Sequence, residues 1–157
     1  MQKDRQIRIT RAGTEALDDA ARLFDAYRQF YKRPPDLEAA RRFLSARLAK
    51  QDSVFYLAHA DGAGSRAVGF VHLYPSYESL TMKPMWILYD LYVAPEARGK
   101  GVGEALMHRA TELARETGAC CLALETAIDN TTAQALYEKL GYVRDEKFYR
   151  YALTLPA

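Results

Sequence analysis

The chain has 157 residues, about one domain's worth, and a domain of that size can bury roughly 70% of the surface its unfolded form exposes without help from disulfides or metals. Its 22 Lys and Arg against 20 Asp and Glu leave a formal charge of +2, which argues against an electrostatic nucleic-acid binder. Met1-Gln2-Lys3-Asp4-Arg5 offers no apolar core for a secretion signal, and the most apolar stretch, Met85 to Val93, is broken by Asp90 and too short to span a bilayer. Neither secretion nor a membrane is therefore expected. The adjacent Cys120 and Cys121 suit neither an ordinary disulfide nor a zinc site, so a reducing cytoplasm fits and both are read as buried packing residues.

Ile7 and Ile9 alternate with polar neighbours as a short strand would, and Thr14 offers a cap to a helix carrying Leu17, Ala20, Ala21, Phe24, Tyr27 and Tyr31 on one side. Pro34-Pro35 stops that helix, and Asp36 caps a second with Leu37, Ala40, Leu44 and Leu48 as its apolar stripe. Ser53 to Ala60 and Ala67 to Tyr74 read as an antiparallel hairpin around the exposed loop Asp61-Gly62-Ala63-Gly64-Ser65. A longer strand, about Trp86 to Val93, leads through Ala94-Pro95-Glu96-Ala97 into Arg98-Gly99-Lys100-Gly101-Val102-Gly103. Val102, Leu106, Ala110 and Leu113 then give a helix one apolar face until Gly118. The nearly all-apolar run Cys120 to Thr126 predicts a strand buried on both faces. Asp129-Asn130 can cap a last helix with Ala133, Leu136, Tyr137 and Leu140 on a stripe and Gly141 as its left-handed end, and Tyr142-Val143 and Phe148 to Leu155 read as closing strands.

The order β-α-α-β-β-β-α-β-α-β-β, without a linker, predicts a single α/β domain over 1–157. The chemistry is expected at residues 98–103. Glycines 99, 101 and 103, after a strand and before an amphipathic helix, present backbone N–H groups where the helix dipole is positive, a cradle for a pyrophosphate with Arg98 and Lys100 on its flank. The alternative is a tight turn with no ligand. The intervals fit neither a Walker loop nor a dinucleotide fingerprint.

Arg98-Gly99-Lys100-Gly101-Val102-Gly103 resembles the acyl-CoA pyrophosphate loop, Arg/Gln-x-x-Gly-x-Gly/Ala, of the GNAT superfamily of N-acetyltransferases, and Asp90-Leu91-Tyr92-Val93-Ala94-Pro95 is similar to the strand before that loop. Asn130-Thr131-Thr132-Ala133-Gln134-Ala135-Leu136-Tyr137-Glu138-Lys139-Leu140-Gly141-Tyr142 is similar to the family's second signature. The chain as a whole looks like the branch that holds histone and polyamine acetyltransferases. The resemblance implies a mixed, mainly antiparallel central sheet of about seven strands flanked by four helices. It implies acetyl-CoA as co-substrate and no metal, with direct attack by a primary amine in a ternary complex. That amine is a polyamine, a lysine side chain of a protein or another small amine.

By the same resemblance the fourth and fifth strands splay, and pantetheine pairs with the strand edge at Leu91, Tyr92 and Val93. The N–H near Val93 polarises the thioester carbonyl. Val102 belongs to the loop, Asn130 and Ala133 face the pantetheine arm, and Tyr137 is the general acid for the departing thiolate. A core tyrosine is the plainer reading of Tyr137. Asp90 is the first candidate for the base that takes the amine proton, the alternative being a carboxylate paired with a nearby cation; Tyr89 is a second candidate, for orienting water. A homodimer is implied by relatives that pair through edge strands.

His59, His72 and His108 lack ligand-like spacing, so no metal is expected at them. Tyr27, Tyr31, Tyr74, Tyr77, Tyr149 and Tyr151 either pack ordinarily or line an acceptor groove or dimer seam. An acyl-CoA-binding sensor without turnover is the rival function.

Overall fold

The computed structural model describes residues 6–60 and 64–157. The N-terminal pentapeptide and most of the expected hairpin loop, residues 61–63, lie outside the described residues. The order is β1 (Arg8–Arg11), α1 (Leu17–Phe30), α2 (Leu37–Lys50), β2 (Val54–His59), β3 (Ala67–Glu78), β4 (Lys83–Val93), α3 (Val102–Glu116), β5 (Leu122–Leu124) and α4 (Thr131–Lys139). The strands form one sheet in the order β1-β2-β3-β4-β5, antiparallel from β1 to β4 and parallel between β4 and β5. The chain divides into two compact units, Met1–Glu125 and Thr126–Ala157.

In the first unit α1 lies on one face of the sheet, with α2 packed against it, and α3 lies on the other face. Phe55 and Phe70 stack at 4.6 Å on the α1 face, and Phe24 and Tyr27 of α1 reach Phe70 at 6.2 and 5.7 Å. On the opposite face α3 comes close at Gly69: a Cβ there would lie 2.9 Å from the Tyr92 carbonyl oxygen, 3.2 Å from Val102 and 3.4 Å from Leu106. Only a glycine lets the helix settle that near the strand.

The local signals work mostly as chemistry dictates. Asp36 caps α2 by accepting from Ala39 N–H at 2.9 Å, Asn130 caps α4 by accepting from Ala133 N–H at 3.2 Å, and Gly118 and Gly141 end α3 and α4 at φ +67° and +90°. Thr14 does not cap. It opens a short 3₁₀ turn, Thr14–Ala16, that runs into α1 without a side-chain cap.

Three expectations are corrected. Among the described residues the sheet has five strands, not about seven: Tyr142-Val143 and Phe148 to Leu155 carry the alternation of strands but are not assigned to one, and alternation without a backbone partner is not a strand. The fifth strand is three residues long at the sheet edge and half-exposed, so it is not buried on both faces. Cys120 and Cys121 precede it and are exposed, with the Cys121 thiol raised by burial of its sulfur region and by the adjacent Cys120. In the other direction, β3 and β4 run on past the apolar core to Glu78↔Lys83, because hairpin pairing continues where hydrophobic patterning stops.

Candidate active site

The site in the first unit is organised by one extra residue. His72 pairs with Asp90 and Leu73 with Leu88, so Tyr89 is the inserted residue of a β-bulge in β4. In an unbroken strand residues 88 and 90 share a face. Here they oppose adjacent residues of β3 and therefore lie on opposite faces: Leu88 faces α3, and Asp90 is transferred to the α1 face. Tyr89, 60% exposed, meets the Tyr74 ring edge-to-face at 5.6 Å on that same side.

The bulge also marks where the sheet opens. β4 pairs with β5 only through Trp86↔Leu122, Ile87↔Ala123 and Leu88↔Leu124. From Tyr89 onward β4 pairs, among the described residues, with β3. Ala94 N–H donates to Val68 carbonyl at 2.8 Å, and the alternation of an antiparallel ladder then turns the backbone groups of Val93 and Leu91 away from β3, toward the opened side. Tyr92 points its backbone to β3 and its ring to the α1 face, 6.4 Å from Tyr27. Of the three residues expected to line the strand edge, Leu91 and Val93 therefore turn their main chain from β3, with the Val93 carbonyl taken by Arg98.

Beyond a 3₁₀ turn, Pro95–Ala97, the loop at residues 98–103 enters α3. Gly99 and Gly101 have φ of +70° and +80°, a conformation in which an L side chain clashes with its own backbone. Around them there is room: a Cβ at Gly99 would meet nothing within 4 Å, and one at Gly101 only Ile7 at 3.8 Å. The first turn of α3 has no side-chain cap, and its first internal bond, Ala105 N–H to Gly101 carbonyl, is 3.0 Å. The amides of Val102 and Gly103 are left for an outside acceptor, as the geometry of a helix start dictates. The loop thus fits a phosphate-bearing ligand.

The flanking cations are held back against the loop. Arg98 donates Nε–H to Val93 carbonyl at 2.8 Å, with its guanidinium over the Phe30 and Tyr92 rings at 5.4 and 5.7 Å, and Lys100 Nζ donates to Glu96 carbonyl at 2.6 Å. Their charge sits beside the amides while these donors brace the turn.

Asp90 is buried, at 6% exposure. His72 Nδ1 stands 3.1 Å from its Oδ2, and His72 Nε2 stands 2.8 Å from Ser53 Oγ. His72 is fully buried and Ser53 nearly so. The Tyr74 ring lies 4.6 Å from the imidazole, and burial, with the Asp90 charge second, pushes its phenol up to about 12. Ser53 and His72 were missed as site residues. Each is a lone polar group in an apolar strand run, and a buried polar group must find a partner; that was the available signal, but the pairing register was needed to say which partners meet.

In the second unit, Asn130 and Ala133 form the capping pair of α4, so Asn130 Oδ1 is engaged by its own helix. Tyr137 is buried, and its ring lies 6.0 Å from that of Tyr142 at 53°. Of the histidines set aside as ligands, His59 ties strand to loop through Thr10 Oγ1 at 3.2 Å and Ser65 carbonyl at 2.7 Å.

Residues 18–142 match the family model described as the acetyltransferase (GNAT) family. The chain is 42% identical over 149 residues to the uncharacterised N-acetyltransferase YhfO of Bacillus subtilis (strain 168), covering 95% of this chain and 98% of that protein. A solved structure described as a probable acetyltransferase superposes with a TM-score of 0.89 at 44% identity, covering 96% of this chain and 99% of the other. An aminoglycoside N-acetyltransferase in complex with CoA shares the fold, with a TM-score of 0.80 at 19% identity and 99% of both chains covered.

Proposed function

Because the chain belongs to the GNAT acetyltransferase family and is an acyltransferase, we propose that it transfers acetyl from acetyl-CoA to a primary amine by direct attack within a ternary complex. The observation that carries this reading is the β4 bulge. One inserted residue stands where the pairing with β5 ends, beside the outward-turned main chain of Leu91 and the Val93 N–H, and it turns the Asp90 carboxylate to the α1 face. A family that uses acetyl-CoA supplies the donor, and the loop at 98–103 holds its diphosphate on uncapped amides. The family match runs from residue 18 to residue 142, a span that takes in residues of both compact units.

In the proposed reaction the amine nitrogen attacks the thioester carbonyl carbon, with the developing oxyanion stabilised by the Val93 N–H. An alkyl ammonium titrates near 10.4, so the acceptor must lose a proton before it attacks. Asp90 accepts that proton, directly or through water. The C–N bond forms, the C–S bond breaks, and the leaving thiolate takes a proton from Tyr137, the residue at the family's general-acid position; the second proton shed by the attacking nitrogen passes to solvent and solvent restores the phenol, while Asp90 releases the first. A thiol near 8.5 and a phenol near 10 make that last transfer modest in driving force.

The acceptor is a polyamine, a lysine side chain or another small amine. Thiol release from acetyl-CoA in the presence of spermidine, an N-acetylated lysine ester or kanamycin tests the reading. Release above the hydrolysis blank with at least one amine is expected, with a mass gain of one acetyl group on that amine. Acetyl-CoA binding with no release across a broad amine panel would favour the sensor reading instead. Tyr137→Phe is expected to lower kcat by about 10²-fold with acetyl-CoA affinity kept; an unchanged kcat removes Tyr137 from the acid role.

A further inference from the structure

Ser53, His72 and Asp90 stand in the order hydroxyl, imidazole, carboxylate from the entry to β2 across β3 to β4, with His72 joined to both partners at 2.8 and 3.1 Å. That order is the one a nucleophilic serine uses, so the first question is which end does the chemistry. Ser53 is buried at the entry to β2, on the paired side of the sheet and next in the chain to Asp52, which pairs with Arg47 of α2 at 2.8 Å. Ser53 and Asp90 are buried alike, at 7% and 6%, so the strands that carry them decide between the two ends. The carboxylate end is different: Asp90 lies at the bulge, next to Tyr74 and the exposed Tyr89, on the stretch of β4 that has left β5.

We infer that the chain works in reverse, with Ser53 as the anchor, His72 as a positioning residue and Asp90 as the working end. The inference rests on the reading of Asp90 as the base that takes the acceptor's proton. Its logic is one of hydrogen-bond inventory. The Ser53 hydroxyl donates to His72 Nε2, which leaves the neutral imidazole its proton on Nδ1, and Nδ1–H donates to Asp90 Oδ2. One carboxylate oxygen is thereby held, and the plane of the carboxyl group with it. Among the described residues nothing donates to the other oxygen, Oδ1, which is free for the acceptor's N–H.

The surroundings lock the imidazole as firmly as its bonds do. The Phe55 ring lies 5.1 Å from it, Tyr74 lies 4.6 Å away, and Phe24 of α1 closes the edge at 6.5 Å. A ring with no free volume and both nitrogens engaged cannot rotate, so Oδ1 keeps one direction. Placement at this level matters because an error of about 1 Å in a reacting group can cost about 10²-fold in rate. No proton needs to leave Asp90 along the chain during turnover; when Oδ1 takes the amine proton, Oδ2 remains the acceptor of Nδ1–H.

The test compares Asp90→Asn, His72→Phe, His72→Asn and the double variant Asp90→Asn/His72→Phe, using acetyl-CoA and whichever of spermidine, the lysine ester and kanamycin turns over fastest. His72→Phe is expected to lower kcat by about 10²-fold with KM for acetyl-CoA unchanged. In His72→Asn the side-chain amide replaces the Nδ1–H donor and should recover most of that loss, which a purely structural role would not require. The double variant should fall no lower than Asp90→Asn alone, because His72 acts only through the carboxylate. An unchanged kcat in His72→Phe, no recovery in His72→Asn, or losses that multiply in the double variant would each overturn the inference. If Asp90→Asn is unimpaired, the base reading fails and this inference with it; if Asp90→Asn is crippled and His72→Phe is not, this inference alone fails.

Should His72→Phe not fold, Ser53→Ala takes its place, with a fall of about tenfold in kcat at unchanged KM supporting the assignment and no fall overturning it. Proton NMR of the intact protein gives a readout that needs no acceptor. A slowly exchanging imidazole N–H resonance, downfield of the amides and lost in Asp90→Ala, is expected, and its absence from the unsubstituted protein would overturn the fixed tautomer.

Discussion

The two faces of the sheet share the same strands and differ in what they ask of their side chains. Under α3, the contacts are aliphatic: Val102, Leu106, Met107 and Ala110 press on β3 around Gly69, Val71 and Leu73, all buried or nearly so. Under α1 the same strands present Phe55, Phe70 and Tyr92, and between these aromatic groups lie Ser53, His72 and Asp90. The helix there is attached by polar joints as well. Asp19 accepts from Ala67 N–H at 2.8 Å, and Arg22 donates to Ala67 carbonyl at 2.7 Å and to Asp19 at 2.5 Å. Non-directional packing is enough to hold a fold. Chemistry needs direction, and direction comes from hydrogen bonds and from flat rings that leave a side chain one orientation.

If the faces divide the labour in this way, substitutions on each should damage different things. Asp90→Asn keeps the shape of the α1 face and removes the base; kcat is expected to fall by about 10³-fold with the melting temperature little changed. A variant that lost stability and kept kcat would invert the comparison. Leu106→Ala on the other face should do the opposite, costing about 3 kcal/mol of stability while kcat at low temperature stays near that of the parent; urea unfolding and initial rates measured side by side decide it.

Gly101→Ala probes where the faces meet, at the start of α3. The nearest atom to an added Cβ is 3.8 Å away, so the penalty is that of a left-handed backbone rather than of crowding, about 1–2 kcal/mol. Acetyl-CoA affinity by calorimetry should drop along with stability, whereas Leu106→Ala should leave affinity in place.

The smallest expected effect is in acid. Burial alone would raise the Asp19 carboxyl, but the Ala67 N–H and the Arg22 guanidinium outweigh it and hold it below the usual carboxylate value. A lowered folded value means that the stabilisation is whole above about pH 4 and is lost as pH falls through that folded value. Asp19→Asn should therefore cost about 1 kcal/mol at neutral pH and remove part of the acid slope. Hydrogen exchange at the start of β3 should loosen in acid before the α3 contacts do; simultaneous loosening of both faces would erase the distinction.

The loop at 98–103 was legible in the chain because its chemistry is local: a positive φ demands glycine, and a helix start leaves amides unpaired whatever surrounds it. The caps at Asp36 and Asn130 and the glycine ends of α3 and α4 were legible for the same reason. Phe148 to Leu155 misled, since alternation speaks of two faces and says nothing about a partner for the backbone. Cys120 and Cys121 misled in the same way, apolar in composition but next to a three-residue strand with a single neighbour.

Composition, spacing and two signatures were sufficient for the fold class, the helices and the acyl-transfer family, all of which depend on residues a few positions apart. Register was decided only in three dimensions. One inserted residue at Tyr89 carries Asp90 from the α3 face to the α1 face and sets it opposite His72, which meets Ser53 at the entry to β2. No pattern along β4 could announce that, because the face a strand residue takes after a bulge depends on the strand it pairs with, and that pairing joins positions far apart in the chain.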